Sequence, residues 1–334
     1  MSSAPTAEAI ARDAKWLAQA LDPAAGMVRL IAMDRDSYRK ASFLDDRMLQ
    51  APVDAQLLPW PQVEEAMARD LRSDARWIFH IGHVGSTLVS RLLGELSGVL
   101  AIREPRLLRD VAMSPPEVRA RYLPPVAKLM SRSFGQVACV KATSFVSEIA
   151  ADLVPPGERA LFMYATPRNY VASILAGENS GRELRALAES RAERMAKRAP
   201  GLSSDGTDAE LSAAAWACEM TALEAAAEVM SDRLIEWADF DRMLANMPAE
   251  LSRVARFFGF AAEPGQLAAL ATGPLMGRYS KALEYEYSAG LRRDLIAEAD
   301  AANRTAIDDA LAMLARAAEK SPLLARALAR AGEA

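Results

Sequence analysis

The chain has 334 residues, with 40 lysines and arginines against 44 aspartates and glutamates, which gives a formal net charge of −4. This near balance excludes a broad basic surface for nucleic acid, although it leaves room for a local anion pocket. A hydrophobic fraction of 51% predicts a folded globular chain, and two cysteines and two histidines exclude a disulfide scaffold and a cysteine- or histidine-rich metal site.

The N-terminal part of the chain predicts helices and one short strand. Apolar residues recur with helical spacing over 6–22, a strand is expected over 27–33, and Pro61 favours a helix over 61–72. We therefore expect residues 1–74 to form a helical extension. The sequence shows neither a signal peptide nor a membrane-spanning apolar run, which predicts a cytoplasmic protein. The alanine- and arginine-rich composition is typical of a bacterial genome of high GC content.

From residue 77 onward, short apolar runs alternate with helical patterns. Strands are predicted over 77–81, 99–103, 136–142, 159–165 and 233–238. Strands that alternate with helices indicate an α/β fold with a parallel sheet, here of about five strands flanked by helices in three layers.

Two helix starts and one helix end are marked by their residues. Thr207 and Glu210 have the spacing of a capping box, and Ser321 precedes a proline in the first turn of the last helix. Gly259 is expected to end an amphipathic helix over 248–258. These signals indicate helices around the predicted sheet.

The loop after the first of these strands has the residues of an anion-binding site. It reads Gly82-His83-Val84-Gly85-Ser86-Thr87-Leu88. Glycines let backbone N–H groups turn toward an anion, and the following helix N-terminus adds partial positive charge. The loop lacks the lysine of a Walker A motif, which disfavours ATP hydrolysis. A plain strand-to-helix turn is the alternative interpretation.

The stretch FHIGHVGSTLVSRLL resembles the 5′-phosphosulfate loop of the sulfotransferases. Further segments resemble other motifs of that family in the same order along the chain. They are the acidic motif at 103–105, the lysine-bearing strand at 140–144, the 3′-phosphate segment at 164–173, the late strand and helix at 234–260 and the basic motif at 277–281. Together they place residues 75–295 in a P-loop domain of this type, with residues 296–334 as C-terminal helices packed on it.

The resemblance implies a transferase that moves a sulfuryl group from 3′-phosphoadenosine 5′-phosphosulfate (PAPS) to a hydroxyl or amine, leaving 3′-phosphoadenosine 5′-phosphate. The acceptor would be a small molecule, a carbohydrate or a lipid, and no metal or nucleic acid would take part. A homodimer is compatible with it. The alternatives are a P-loop kinase or nucleotide hydrolase and a non-catalytic relative of the same fold that binds a nucleotide or a partner.

Three residues are predicted to take part in catalysis. Glu104 follows a strand and is the candidate general base, or else an ion-pair partner of the arginines near it. Lys141 ends a strand and would point at the sulfuryl group, or lie at the sheet edge with its ammonium in water. His83 stands where the family has lysine or arginine, and would serve the leaving oxygen or only cap the loop.

The resemblance also assigns residues to the donor. Besides the loop over 82–88, these are Arg168 and Ser173 for the 3′-phosphate and the grip of Arg278, Ser280 and Lys281. Ala165 stands where the family has an arginine, and Arg168 would replace it. The arginines over 182–198 alternate with glutamates and are predicted to form a solvated helix face.

Overall fold

The structure, a computed structural model, describes residues 4–278 and 288–332. Its strands are β1 (Trp16–Asp22), β2 (Met27–Ala32), β3 (Ala55–Pro59), β4 (Arg76–His80), β5 (Val99–Arg103), β6 (Val137–Lys141), β7 (Arg159–Tyr164) and β8 (Leu234–Asp239). Its α-helices are α1 (Ala7–Arg12), α2 (Arg35–Lys40), α3 (Trp60–Met67), α4 (Ser86–Gly94), α5 (Arg106–Met113), α6 (Pro116–Ser131), α7 (Ala150–Leu153), α8 (Pro167–Leu175), α9 (Glu178–Ala186), α10 (Ala188–Met195), α11 (Asp208–Val229), α12 (Phe240–Ala245), α13 (Met247–Phe258), α14 (Gln266–Thr272), α15 (Ala289–Ala302), α16 (Arg304–Ala318) and α17 (Pro322–Ala331). Short 3₁₀ helices span Asp46–Gln50, Ser144–Ile149 and Pro274–Gly277.

The predicted parallel sheet of five strands is confirmed. Its order is β5-β6-β4-β7-β8, and all neighbours pair in parallel. Four of the strands are buried along most of their length, as expected for a sheet with helices on both faces, and β8 is partly exposed. After β4 the chain forms β5 and β6 on one side of it and then crosses to form β7 and β8 on the other side, so the direction of strand addition changes at β4. Ligands of such folds bind at the carboxyl ends of the strands beside this point.

The N-terminal segment differs from the prediction because it contains a second sheet. The helix predicted over 6–22 is wrong beyond Arg12, where α1 ends, and β1 begins at Trp16. β1 pairs with β2 and β2 with β3, all antiparallel. Leu17 and Leu21 have helical spacing, yet they are buried as members of this hairpin, and such tertiary packing overrides a local pattern. The predicted strand at 27–33 is confirmed as β2.

Two buried arginines attach the N-terminal segment to the rest of the chain. The Arg103 guanidinium, at the end of β5, donates to the carbonyls of Tyr38 and Ala41, the latter at 2.8 Å. Arg132 donates to the carbonyl of Trp16 at 2.7 Å. Loss of hydration lowers the pKa of Arg103 to about 9 and that of Arg132 to about 10, so both remain charged at neutral pH. The N-terminal segment is therefore held at two places, at the carboxyl end of β5 by Arg103 and at the C-terminal end of α6 by Arg132.

The marked helix ends are confirmed. Thr207 and Glu210 form the capping box of α11, the Ser321 hydroxyl accepts the Leu324 N–H, and Gly259 ends α13 with φ 73°. In the C-terminal part, α15 packs on α8 and the last two helices pack on α11. The division of the chain at residues 75 and 296 stays a prediction. Among the described helices, none has both the length and the apolar character needed to cross a bilayer.

Candidate active site

A cavity of about 940 Å³ lies at the carboxyl end of the parallel sheet. It is lined by the entire predicted loop over 82–88 and by Glu104, Lys141, Ser173 and Arg278. The structure thus brings together most of the residues that the sequence analysis selected. Arg168 does not line this cavity.

The loop between β4 and α4, here called the glycine loop, lines the cavity over residues 82–88. Gly82 and Gly85 have φ values of 83° and 61°, which glycine adopts without strain, and Gly85 caps α4. A Cβ at Gly85 would overlap the ring of Phe240, so the backbone passes directly beneath that ring. Thr87 is 2% exposed, and its hydroxyl has no hydrogen-bond partner within the described ranges. A buried hydroxyl at a helix N-terminus, lining a cavity, can donate to an anion bound there.

Glu104 and Lys141 form a buried ion pair in the same cavity. The Lys141 ammonium donates to Glu104 Oε1, and the two side chains are 1% and 10% exposed. Arg47 approaches Glu104 Oε2 at 3.5 Å. Glu104 therefore pairs with Lys141 and Arg47, and not with the arginines next to it in sequence. Glu104 meets Lys141 because β5 and β6 pair in parallel, so that Arg103 at the end of β5 lies opposite Lys141 at the end of β6.

A histidine that the sequence analysis did not select lies next to this pair. His80 ends β4 and is 5% exposed. Its Nδ1 accepts the Gly82 N–H at 2.9 Å, and its Nε2 lies 3.9 Å from Glu104 Oε1. The predicted His83 is in the cavity too, but its ring packs edge-on against Tyr170, with 6.2 Å between ring centroids. A polar residue that ends an otherwise apolar strand just before the glycine loop was the available signal for His80.

The residues predicted for the 3′-phosphate are only partly brought together. The Ser173 hydroxyl lines the cavity and donates to the Tyr170 carbonyl at 2.9 Å. Arg168 instead pairs with Asp308 and Asp300, whose carboxylates raise the pKa of its guanidinium. Arg278 is an exposed part of the lining, whereas the predicted Ser280 and Lys281 lie outside the described residues.

Two of the arginines that line the cavity and were not selected as site residues have buried N–H groups free for a ligand among the described residues. The Arg292 Nη2 and the Arg191 Nε are buried and have no hydrogen-bond partner in the described part of the chain. The Arg292 Nε donates to Asp241 Oδ1 at 3.1 Å, and the Arg292 guanidinium lies 5.1 Å from the centroid of the Phe240 ring. Such N–H groups suit a bound anion. No local pattern marks Arg292, which reaches the cavity from α15.

The predicted solvated arginine face over 182–198 is wrong for part of its length. Arg191 lines the cavity, and Arg194 and Arg198 pair with the partly buried Glu148, at 3.2 and 2.7 Å. The cause is that α10 packs against α11 and the 3₁₀ helix at Ser144–Ile149 lies beside it. A mixed charge pattern does not distinguish a solvated face from one that forms buried ion pairs.

The rim of the cavity has an apolar and a charged part. Met113, Leu291 and Leu295 line the cavity and are exposed, with Met113 at 68%. On the charged part, Arg106 pairs with Asp46 and with Asp110. Large exposed apolar side chains around a cavity often mark a ligand-binding surface.

Comparison with known proteins yields similarity to solved structures alone. No protein-family profile and no curated protein matches the chain. Among solved structures, the chain is similar to a sulfotransferase domain from the curacin biosynthetic pathway, with 11% identity and a TM-score of 0.42 over 67% of this chain and 87% of that domain.

Within residues 4–278 and 288–332, no group of three or more histidine, cysteine, aspartate or glutamate side chains is arranged to hold a metal ion.

Proposed function

We propose that this protein is a PAPS-dependent sulfotransferase that acts on a hydroxyl or amine. The observation that most supports the proposal is that one cavity contains the glycine loop and the buried Glu104–Lys141 pair. In that loop, the Thr87 hydroxyl has no partner among the described residues. An anion cradle next to a carboxylate and an ammonium has what the transfer of an anionic group requires: binding, a proton acceptor and a positive charge.

The residues of the cavity fit both phosphate ends of the donor. The 5′-phosphate end would bind at the N-terminus of α4, where Thr87 offers its hydroxyl. The 3′-phosphate would lie toward Arg292, Arg191 and Ser173, of which the two arginines have buried N–H groups with no described partner. This assignment replaces Arg168, whose two carboxylate partners already occupy its guanidinium. When bound, PAPS supplies an activated sulfuryl group on its 5′-phosphate.

Transfer would form a bond between sulfur and the acceptor oxygen or nitrogen while the bond from sulfur to the phosphate oxygen breaks. The acceptor proton would pass to Glu104, which requires this carboxylate to be ionised and to face the acceptor. Negative charge grows on the phosphate oxygen, and Lys141 and the helix N-terminus would stabilise it. Lys141 therefore has to divide its interaction between Glu104 and the transferring group.

A small molecule, a carbohydrate or a lipid remains the proposed acceptor class. The exposed apolar side chains of Met113, Leu291 and Leu295 favour an acceptor with an alkyl or aryl portion beside its nucleophilic group.

Equilibrium binding of three nucleotides separates the candidate functions. We expect 3′-phosphoadenosine 5′-phosphate to raise the melting temperature, since a ligand at 100 times its Kd stabilises the folded state by about 2.7 kcal/mol. Adenosine 5′-phosphate, which lacks the second anion, should bind more weakly. Stabilisation by magnesium ATP without any by the bisphosphate would overturn the proposal in favour of a kinase or hydrolase. No stabilisation by any of them would also overturn the proposal, in favour of a non-catalytic relative that binds a partner and not a nucleotide.

A further inference from the structure

We propose that His80 is the positioning residue of Glu104 and that it acts as a fixed neutral imidazole. The inference rests on the proposed function, in which Glu104 accepts the acceptor proton. His80 lies between the two parts of the site, because it ends β4 and directly precedes the glycine loop.

The hydrogen bond at one ring nitrogen determines the protonation state of the other. His80 Nδ1 accepts the Gly82 N–H at 2.9 Å, so Nδ1 carries no proton. A neutral imidazole then has its proton on Nε2, and a second proton on Nδ1 would break the bond to Gly82. The loop thus selects the Nε2–H tautomer and holds the ring in place.

The Nε2–H of this tautomer is on the side of Glu104. The Nε2 to Oε1 distance of 3.9 Å is too long for a hydrogen bond, and the Lys141 ammonium occupies Oε1. Arg47 lies near the other oxygen, at 3.5 Å. Among the described residues, the charged groups that contact His80 or its carboxylate include Glu104 between β5 and α5, Lys141 on β6 and Arg47 on the N-terminal segment.

A bound anion would compete with Glu104 for the Lys141 ammonium, and this competition is what would give His80 a role in positioning Glu104. When Lys141 turns toward a bound anion, Glu104 Oε1 loses its donor, and a small movement of the carboxylate brings it to Nε2–H. A neutral donor holds the carboxylate without stabilising its negative charge as strongly as an ammonium does, so Glu104 would remain a better base. His80 would thus keep Glu104 oriented at the moment it takes the proton.

Nitrogen NMR of the labelled protein tests the tautomer without any ligand. The chain has two histidines, so His83→Gln leaves His80 as the only imidazole signal. At neutral pH we expect an unprotonated Nδ1 and a protonated Nε2, and we expect Glu104→Gln to shift the Nε2 signal more than the Nδ1 signal. An Nδ1–H tautomer, an imidazolium or an Nε2 signal indifferent to Glu104→Gln would overturn the inference.

Two amide variants distinguish the function of Nδ1, which accepts the Gly82 N–H, from that of Nε2, which lies on the side of Glu104. In His80→Asn, the short amide can replace Nδ1 and accept the Gly82 N–H, but nothing reaches Glu104. Affinity for 3′-phosphoadenosine 5′-phosphate should stay within about threefold, because the loop bond is retained. The rate of sulfate release from PAPS, with water as acceptor, should fall by about 10²-fold because the base is misplaced. In His80→Gln, whose amide extends toward the Nε2 position, more of that rate should be retained and the affinity should fall by about tenfold.

These results distinguish the inference from the proposed function. If the wild-type protein binds no bisphosphate and releases no sulfate, the proposed function fails, and the nitrogen spectra still decide the tautomer and its coupling to Glu104. If the wild-type protein binds and turns over but both His80 variants lose only thermal stability, His80 is structural and the inference is wrong.

Discussion

Two residues that line the cavity have left-handed backbone conformations, with positive φ angles. Glu104 and His83, with φ values of 52° and 53°, are the non-glycine residues with positive φ in the described part of the chain. This conformation costs on the order of 1–3 kcal/mol at each position and is typical of sites where the surrounding structure fixes a functional side chain. The strained backbone is therefore at Glu104, which pairs with Lys141, and at His83, which belongs to the glycine loop.

Removal of the Thr87 hydroxyl should weaken donor binding. We expect Thr87→Val to lose about 1.5–3 kcal/mol of affinity for 3′-phosphoadenosine 5′-phosphate, since its donor would bind a charged group. Calorimetric titration measures this. Ser90→Ala is the matched control, because the Ser90 hydroxyl is also buried and has no described partner but does not line the cavity. Equal affinity in wild type and Thr87→Val would exclude the hydroxyl from the anion site.

The Glu104→Gln variant keeps the size of the side chain and removes its ability to accept a proton. Turnover should fall by about 10²–10⁴-fold, the usual value of general-base catalysis, while bisphosphate affinity changes little. Release of sulfate from PAPS gives the rate. Glu95→Gln, which removes one carboxylate of the Arg39 ion pair outside the cavity, is the charge-matched control. Near-native turnover of Glu104→Gln with a lower melting temperature would make Glu104 a structural ion-pair member.

At the scale of elements, the site is the junction of β4, the glycine loop and α4, covered by α12. The parallel pairing of β4 with β6 and β7 aligns the ends of these strands, and Phe240 at the start of α12 closes over Gly85. The loop geometry therefore depends on a close approach between backbone and ring that no other residue than glycine permits.

A methyl group at Gly85 should damage the loop itself. We expect Gly85→Ala to cost about 1–3 kcal/mol through overlap with Phe240, in addition to about 1–2 kcal/mol for the positive φ. Gly135→Ala is the matched control, because Gly135 also has a positive φ, of 90°, and a Cβ there would meet nothing within 4 Å. Chemical unfolding gives both values. If the two variants lose the same stability, the contact with Phe240 is unimportant, whereas recovery in Gly85→Ala/Phe240→Leu would support it.

At the scale of the whole molecule, the N-terminal segment contributes to the cavity that the parallel sheet begins. Arg47 and Asp46 line the cavity, and the buried Arg103 holds the chain just before them through main-chain carbonyls. The segment and the sheet therefore form one site.

Loss of the Arg103 guanidinium should loosen this attachment. Arg103→Met is expected to cost about 1–3 kcal/mol for each buried carbonyl that it leaves without a donor. Arg39→Ala, which breaks an exposed ion pair with Glu95, should cost less than about 1 kcal/mol. Urea unfolding compares the two. A similar small loss in both would show that Arg103 does not hold the N-terminal segment.

Alkaline pH should destabilise the protein through its two buried thiols. Burial raises the pKa of Cys139 and Cys218 from the ordinary 9.0 to about 12. Below about 9 both states keep the proton, and above it the unfolded chain ionises first, so the free energy of unfolding falls as the pH rises toward 12. Urea unfolding at neutral and alkaline pH should show a smaller decrease in Cys139→Ala/Cys218→Ala. An equal decrease in wild type and variant would contradict the assignment.

The sequence predicted the parallel sheet well, because its strands are short apolar runs separated by marked helices. It predicted the N-terminal hairpin poorly, since Leu17 and Leu21 fit a helical spacing and become a strand only through pairing with β2. In the site, the loop and Glu104 are local signals that could be read directly. His80 had a local signal as the polar end of an apolar strand, but its position next to Glu104 depends on the order of the strands. The position of Arg292 depends on the packing of α15, which the residues near it do not indicate.

A crystal structure of the complex with 3′-phosphoadenosine 5′-phosphate would test whether the cavity is the donor site. We expect the 5′-phosphate at the N-terminus of α4, within hydrogen-bond distance of Thr87, and the 3′-phosphate toward Arg292 and Arg191. Glu104 and Lys141 should lie beside the 5′-phosphate, facing the open part of the cavity. A bisphosphate bound elsewhere, for example in the smaller cavity beside Asp239 and Arg330, would contradict it.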